Sequence, residues 1–326
     1  MLRYVAKRVL WSIPVVLIVL FIVFWGVREG TDPVNAFVRL NPRATPEMIE
    51  TYKEVNGLNG TIIQQFGTWL SNFLTGQWGE SIVGHQPVWP EIKQALANSI
   101  VLGLFASIIG ITIGLSIGIL SALRQYSKFD SAATSGAFVA ISFPPFVSAI
   151  LLQVIFAVAI TNWLGLSKPF LPTSGVYPPG QVGFDPVLRV KHMILPATVV
   201  AIQIIAVYSR YMRSSLLDTK SSDYMRTARA KGISERRVIV HHALRNAFIP
   251  IVTLVAIDIG AIVGGLIITE RIFEYKGMGD FFLTALGNGD FPQLMPWVAI
   301  VVISIIAFNL FADLGYAWLD PRIRLD

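Results

Sequence analysis

Long uncharged apolar runs alternate with polar segments along the 326-residue chain. Val9 to Val27 carries no charge and follows Arg3, Lys7 and Arg8. A helix needs about 20 such residues to cross roughly 30 Å of hydrocarbon, so this run qualifies. No small-residue cleavage site follows it, which predicts a retained first helix rather than a signal peptide. Further helices are predicted at Gln94–Leu123, roughly Ser135–Thr161, His192–Met212, Phe248–Thr269 and Pro296–Trp318. Pro144-Pro145 should kink the third, as a plain bend or as a gating hinge.

Three stretches between the runs have their own pattern. Residues 28–95 form the largest polar piece. Thr45-Pro46-Glu47 there reads as a cap, a first-position proline and a first-turn acid. Ile62, Phe66, Trp69, Leu70 and Phe73 make one amphipathic stripe, predicting short helices on the outer membrane surface or capping the bundle. The second stretch, 168–191, is rich in Gly and Pro.

The third, Arg210 to Ala247, holds nine Lys/Arg and three acidic residues. That excess of six equals the net charge of the whole chain, so the other residues balance. Helix formers fill Asp223–Lys231, Gly232 can stop that turn, and Ser234 can cap a second helix. Val240, Ala243, Leu244, Ala247 and Phe248 then fall on one apolar stripe. Such a basic helix–Gly–helix unit suits docking; a solvated loop that fixes membrane orientation has the same charge.

Charge distribution orients the chain. With both termini inside, the inner segments hold sixteen Lys/Arg and the outer ones ten, five of them in the long 28–95 piece. Short-loop asymmetry of this kind predicts six helices with cytoplasmic N and C termini. The domains expected are 1–27 (N-terminus and first helix), 28–95 (extracytoplasmic) and 96–326, a five-helix core carrying the loop 210–247.

Composition agrees: 54% of residues are hydrophobic, 14% charged, and mean hydropathy is +0.61, far from globular usage. Without cysteine, disulfides, thiolate catalysis and Cys-ligated metal sites are excluded. The four histidines lack ligand spacing, so no metal site is expected. Phosphate-loop, nucleophile-elbow and H-E-x-x-H patterns are missing, which argues against an enzyme. A basic excess confined between apolar helices points to a protein partner, with no nucleic acid.

Three clusters carry a resemblance. DYMRTARAKGISERRVIVHHALRNA (Asp223–Ala247) resembles the cytoplasmic loop of importer-type ABC permeases, in the form found in the first of two paired dipeptide/oligopeptide permease types. GGLIITERIFEYKGMG (Gly264–Gly279) is similar to that family's signature after helix five. Asn309-Leu310, Asp313, Tyr316 and Asp320-Pro321-Arg322-Ile323-Arg324 resemble its ending. Two departures from the general motif stand out: Arg226 replaces an acid, and Arg245 stands where a closing proline is expected.

The resemblance implies an all-α, type I importer permease-like subunit in a bacterial or archaeal cell membrane, surrounded by lipid. It implies a second homologous permease, two ATPase domains and an extracytoplasmic solute-binding protein. No cofactor is expected on this chain, since ATP and Mg would sit on the ATPases. Peptide is the implied solute, with nickel or another small solute as the alternative and an ATP-independent transporter as the rival class. Arg226, Thr227, Ala228, Arg229, Lys231, Gly232, Ser234, Arg236, Arg237 and Leu244 become the ATPase-coupling candidates, with the apolar stripe for docking and the basic residues for an acidic rim.

Asp258 lies in the middle of helix five, where an ionised carboxylate costs about 3 kcal/mol unless paired or wetted. It lines a solute path or makes a structural hydrogen bond. Gln153 and Gln203 are further path candidates that helix packing would use equally well. Asn309 and Asp313 share a face of helix six, and Asp313 is expected to latch onto Arg210, Arg213 or Arg245.

Overall fold

A computed structural model of the chain describes residues 2–319, with side chains except those of residues 2–5, 31 and 313–319. Helices make up nearly all its regular structure, in the order α1 Leu2–Thr31, α2 Pro33–Leu40, α3 Pro46–Val55, α4 Ile62–Leu74, α5 Val88–Leu123, α6 Lys128–Ser142, α7 Pro145–Gln153 and α8 Ile160–Trp163. There follow α9 Pro186–Lys220, α10 Asp223–Ala230, α11 Glu235–Arg237, α12 Leu244–Ala247, α13 Ile249–Ile262, α14 Ile267–Ile272, α15 Met278–Asn288 and α16 Phe291–Leu319. Wider π-helical turns fill Val154–Ala159 and Val238–Ala243. Among the described residues there is no strand, only an isolated bridge between Glu80 and Pro87.

Among the described residues five helices are long and apolar enough to cross a membrane, and six if Glu235–Ala247 and Ile249–Ile262, bent by 42°, count as one span. Several expected boundaries need correction: helix three begins at Lys128 rather than Ser135, and helix six at Phe291 rather than Pro296. Helix four runs to Lys220 rather than Met212, so the first eleven residues of the basic stretch are helix. Helix five stops at Ile262, not Thr269, because Gly265 takes a left-handed φ of +90°. Helix two begins at Val88 and carries Glu91 and Lys93 in its first turns.

The chain forms two units. The first comprises Met1–Ile100, Gly260–Ile267 and Lys276–Leu310. Thr61 caps α4 in a reciprocal box with Gln64. That fixes the stripe Ile62, Phe66, Trp69, Leu70 and Phe73 against Leu20 and Phe24 of α1 and Phe291 and Met295 of α16. Asp290 is fully buried at the start of α16, accepting from the Ser81 hydroxyl, the Ile82 N–H and the Gln293 N–H. Burial raises its pKa despite those bonds.

The second unit comprises Val101–Ile259, Ile268–Tyr275 and Phe311–Asp326. Here α5 packs on α9 through Gly110, Gly114 and Gly118, one every four residues. A Cβ at Gly118 would lie 2.5 Å from the Ser209 carbonyl oxygen, so only glycine admits this approach. The Pro144-Pro145 break separates α6 from α7. Neither proline has an N–H, so carbonyls before them lose their helical donors. Gln203 of α9 supplies the missing donor to the Ala140 carbonyl at 3.1 Å and also bonds the Phe143 carbonyl at 3.2 Å.

Candidate functional site

The basic stretch folds as a bracket on the end of α9. The α10 helix turns Met225 and Ala228 inward, onto Met212 and Leu216 of α9 and Ala122 of α5. Gly232 then takes φ +74° with open space around it, so its conformation rather than room demands glycine. The chain returns through Val238–Ala247 along the same cluster. Ser215 of α9 donates to the Ala247 carbonyl at 2.9 Å, and Asn246 reaches the Tyr224 hydroxyl at 3.0 Å.

This arrangement corrects the expected docking stripe. Ala243 and Ala247 are fully buried in the chain's own cluster, and Leu244 and Phe248 pack against it. An apolar stripe beside a membrane helix end finds its nearest apolar surface on its own chain. Only Val240 of the stripe is exposed. The outer face is polar: Arg226, Thr227, Arg229, Lys231, Gly232, Ser234, Arg236 and Arg237 are all exposed. Arg229 closes the Gly232 turn through a two-pronged pair with Glu235, at 3.0 and 3.1 Å. That bond lowers the Glu235 pKa. Arg226 stands 3.8 Å from Asp223.

Beside the bracket lies a pair that sequence reasoning missed. Asp130, 4% exposed, accepts from Arg213 of α9 at 2.6 and 2.8 Å. It also accepts from the Ser121 hydroxyl and from the Tyr126 N–H at 2.9 Å. Arg213 and Ser121 hold the carboxylate far below its usual range against the cost of burial. Tyr126 sits at φ +62°, a left-handed position that the Asp130 bond supports. The only signal in the sequence was an acid three residues after a cap serine, which is common. Arg213, expected to reach Asp313, is thus engaged elsewhere. The Asp313 side chain and the ending Asp320–Arg324 lie outside the described residues, and Arg245 is exposed.

On α13, Asp258 is exposed, and its carboxylate accepts from the Tyr208 hydroxyl of α9 at 2.7 Å. Gln153 donates to the Thr173 and Ile272 carbonyls at 3.0 and 3.2 Å, so it and Gln203 both serve backbone groups. Among the described residues no three His, Asp or Glu side chains are grouped to hold a metal.

Residues 110–325 match the family described as binding-protein-dependent transport system inner membrane component. The chain is 35% identical to the oligopeptide transport system permease protein AppB of Bacillus subtilis, over 99% of this chain and 100% of that one. It is 35% identical to the dipeptide transport system permease protein DppB of Alkalihalophilus pseudofirmus, again over 99% and 100%. With the glutathione transport system permease protein GsiC of Salmonella choleraesuis it shares 34%, over 99% of each. Among solved structures, the MetNI methionine ABC transporter in inward-facing conformations aligns with TM-score 0.53 at 14% identity, covering 70% of this chain and 96% of that one. An amino acid ABC transporter crystallised with histidines gives 0.51 at 14%, covering 70% and 94%. The chain belongs to the family of binding-protein-dependent transport system inner membrane components, as a helical, multi-pass membrane protein.

Proposed function

We propose that the chain is one of two paired permease subunits of an ATP-driven peptide importer in a bacterial or archaeal cell membrane. The observation that carries this reading is end-to-end similarity to permeases named for oligopeptide, dipeptide and glutathione transport. Both termini are taken to be cytoplasmic, so the bracket 221–247 meets an ATPase domain on that side. A second, homologous permease completes the path, a second ATPase domain serves it, and a solute-binding protein delivers peptide to the segment 28–95.

The coupling role follows from mechanics. Arg226, Arg229, Lys231, Arg236 and Arg237 present cations to an acidic groove, while Ala228 and Leu244 anchor the bracket inward. A push on the bracket passes to α9 through their shared apolar cluster and the Ser215–Ala247 bond. Closure of the ATPases thus rocks α9 and α13 and alternates access to the path. Asp258 lines that path, because an exposed carboxylate on a spanning helix turns away from lipid. Pro144-Pro145 supplies the hinge between α6 and α7.

Purification in mild detergent tests the reading. Expected is co-purification of a second six-helix permease and a Walker-motif protein, with ATP hydrolysis stimulated by a peptide-loaded binding protein. A chain that purifies alone and moves solute without ATP overturns it.

A further inference from the structure

The cleft between α6 and α9 has two unlike sides. One holds a cavity of about 310 Å³ lined by residues such as Ala133, Gly136, Ala137, Ile202 and Ile205. The other, about 510 Å³, is lined by Thr134, Phe138, Arg210, Tyr211, Arg213 and Ser214, with Ile141 and Val207 as apolar wall. Asp130 neutralises Arg213, whereas Arg210 has no carboxylate partner among the described residues. Its guanidinium instead lies over the Phe138 ring, 4.4 Å from the centroid. Among the described residues, Arg210 is therefore the cation of this groove that no carboxylate neutralises.

Arg210 stands one turn before Arg213, towards the inner end of a helix long and apolar enough to span a membrane, and a charge there turns towards water rather than hydrocarbon. The apolar side of the same cleft can meet lipid at no such cost, whereas the Arg210 side calls for a polar or anionic occupant.

The geometry points to Arg210 as a binding subsite for the terminal carboxylate of the transported peptide, on the inner half of the path. This rests on the peptide reading above. A guanidinium held over a ring still has N–H donors that can make a two-pronged bond to a carboxylate. Thr134, Tyr211 and Ser214 line the same groove with hydroxyl-bearing side chains, and Phe138, Ile141 and Val207 give an apolar wall for the last side chain. The volume lies within the range of small-molecule sites.

The test uses the complete importer in proteoliposomes, with one peptide supplied as free acid and as C-terminal amide. Comparing variant with wild type cancels the preference of the binding protein. Arg210→Gln is expected to lower free-acid uptake about tenfold, the factor of one charge-assisted hydrogen bond, and to leave amide uptake unchanged. Arg210→Lys keeps the charge but not the fork, and should restore only part of the free-acid uptake. Equal loss for both peptides, or no loss, overturns the subsite. So does a loss that follows anionic phospholipid content alike for both peptides, which assigns the cation to a headgroup. A wild-type importer that moves neither peptide removes the peptide reading itself, and the subsite with it.

Discussion

Arg213 and Asp130 form a two-pronged ion pair, at 2.6 and 2.8 Å, that ties the α5–α6 turn to the inner part of α9. Removing one partner of a buried pair strands the other. Arg213 keeps 26% exposure, which reduces the usual penalty to about 2 kcal/mol. Asp130→Asn should lower the thermal midpoint of the purified complex by several degrees. A midpoint unchanged in detergent and in lipid would remove the pair as a stabiliser.

The same pair has a defined pH response. Its folded pKa lies below the unfolded value near 3.9, so its stabilisation is complete above that value and lost as pH falls through the folded pKa. The midpoint difference between wild type and Asp130→Asn should stay constant from about pH 8 to 5 and shrink only below about pH 4. A difference that narrows between pH 7 and 5 contradicts this.

Gly232 at φ +74° separates two substitutions. Alanine has open space there and meets only the left-handed penalty of about 1 kcal/mol, so Gly232→Ala should keep most ATP-driven uptake. Proline fixes φ near −65° and should abolish uptake while the ATPase still hydrolyses ATP. Intact uptake in Gly232→Pro removes the bracket from the coupling mechanism.

Tyr208 and Asp258 divide path from packing. If Asp258 serves solute, Asp258→Asn should cut uptake more than Tyr208→Phe, which removes only a hydroxyl. Equal loss of uptake, matched by equal loss of thermal stability, would make the bond structural.

Glycine spacing on α5 gives a prediction independent of transport. Gly118→Ala presses a Cβ onto the Ser209 carbonyl and should cost about 1–3 kcal/mol as overpacking. Gly136→Ala on α6 meets nothing within 4 Å and should be neutral or stabilising by up to about 1 kcal/mol. Thermal midpoints of the two variants check the contrast.

What was legible in the sequence is what local chemistry determines. The apolar runs, the Thr45 cap, the Pro144-Pro145 break and the Gly232 turn can each be read from a few neighbouring residues. The direction of a stripe cannot. Ala243 and Ala247 looked like a docking face because their spacing shows that a face exists, not which surface covers it. Asp130 stayed hidden for the same reason: its value comes from Arg213, 83 positions away. The glycines of α5 follow a four-residue repeat, but only the position of α9 gives that repeat a meaning.

The length of α13 bears on how the protein is made. Fourteen residues span about 21 Å, short of the roughly 30 Å of hydrocarbon. The turn at Val263–Leu266 adds irregular backbone, which lipid does not solvate. Helix five is thus a poor candidate to leave the translocon alone during synthesis. It has to wait for a neighbour such as α9, whose Tyr208 meets Asp258. Insertion of this segment is then part of folding rather than a step before it.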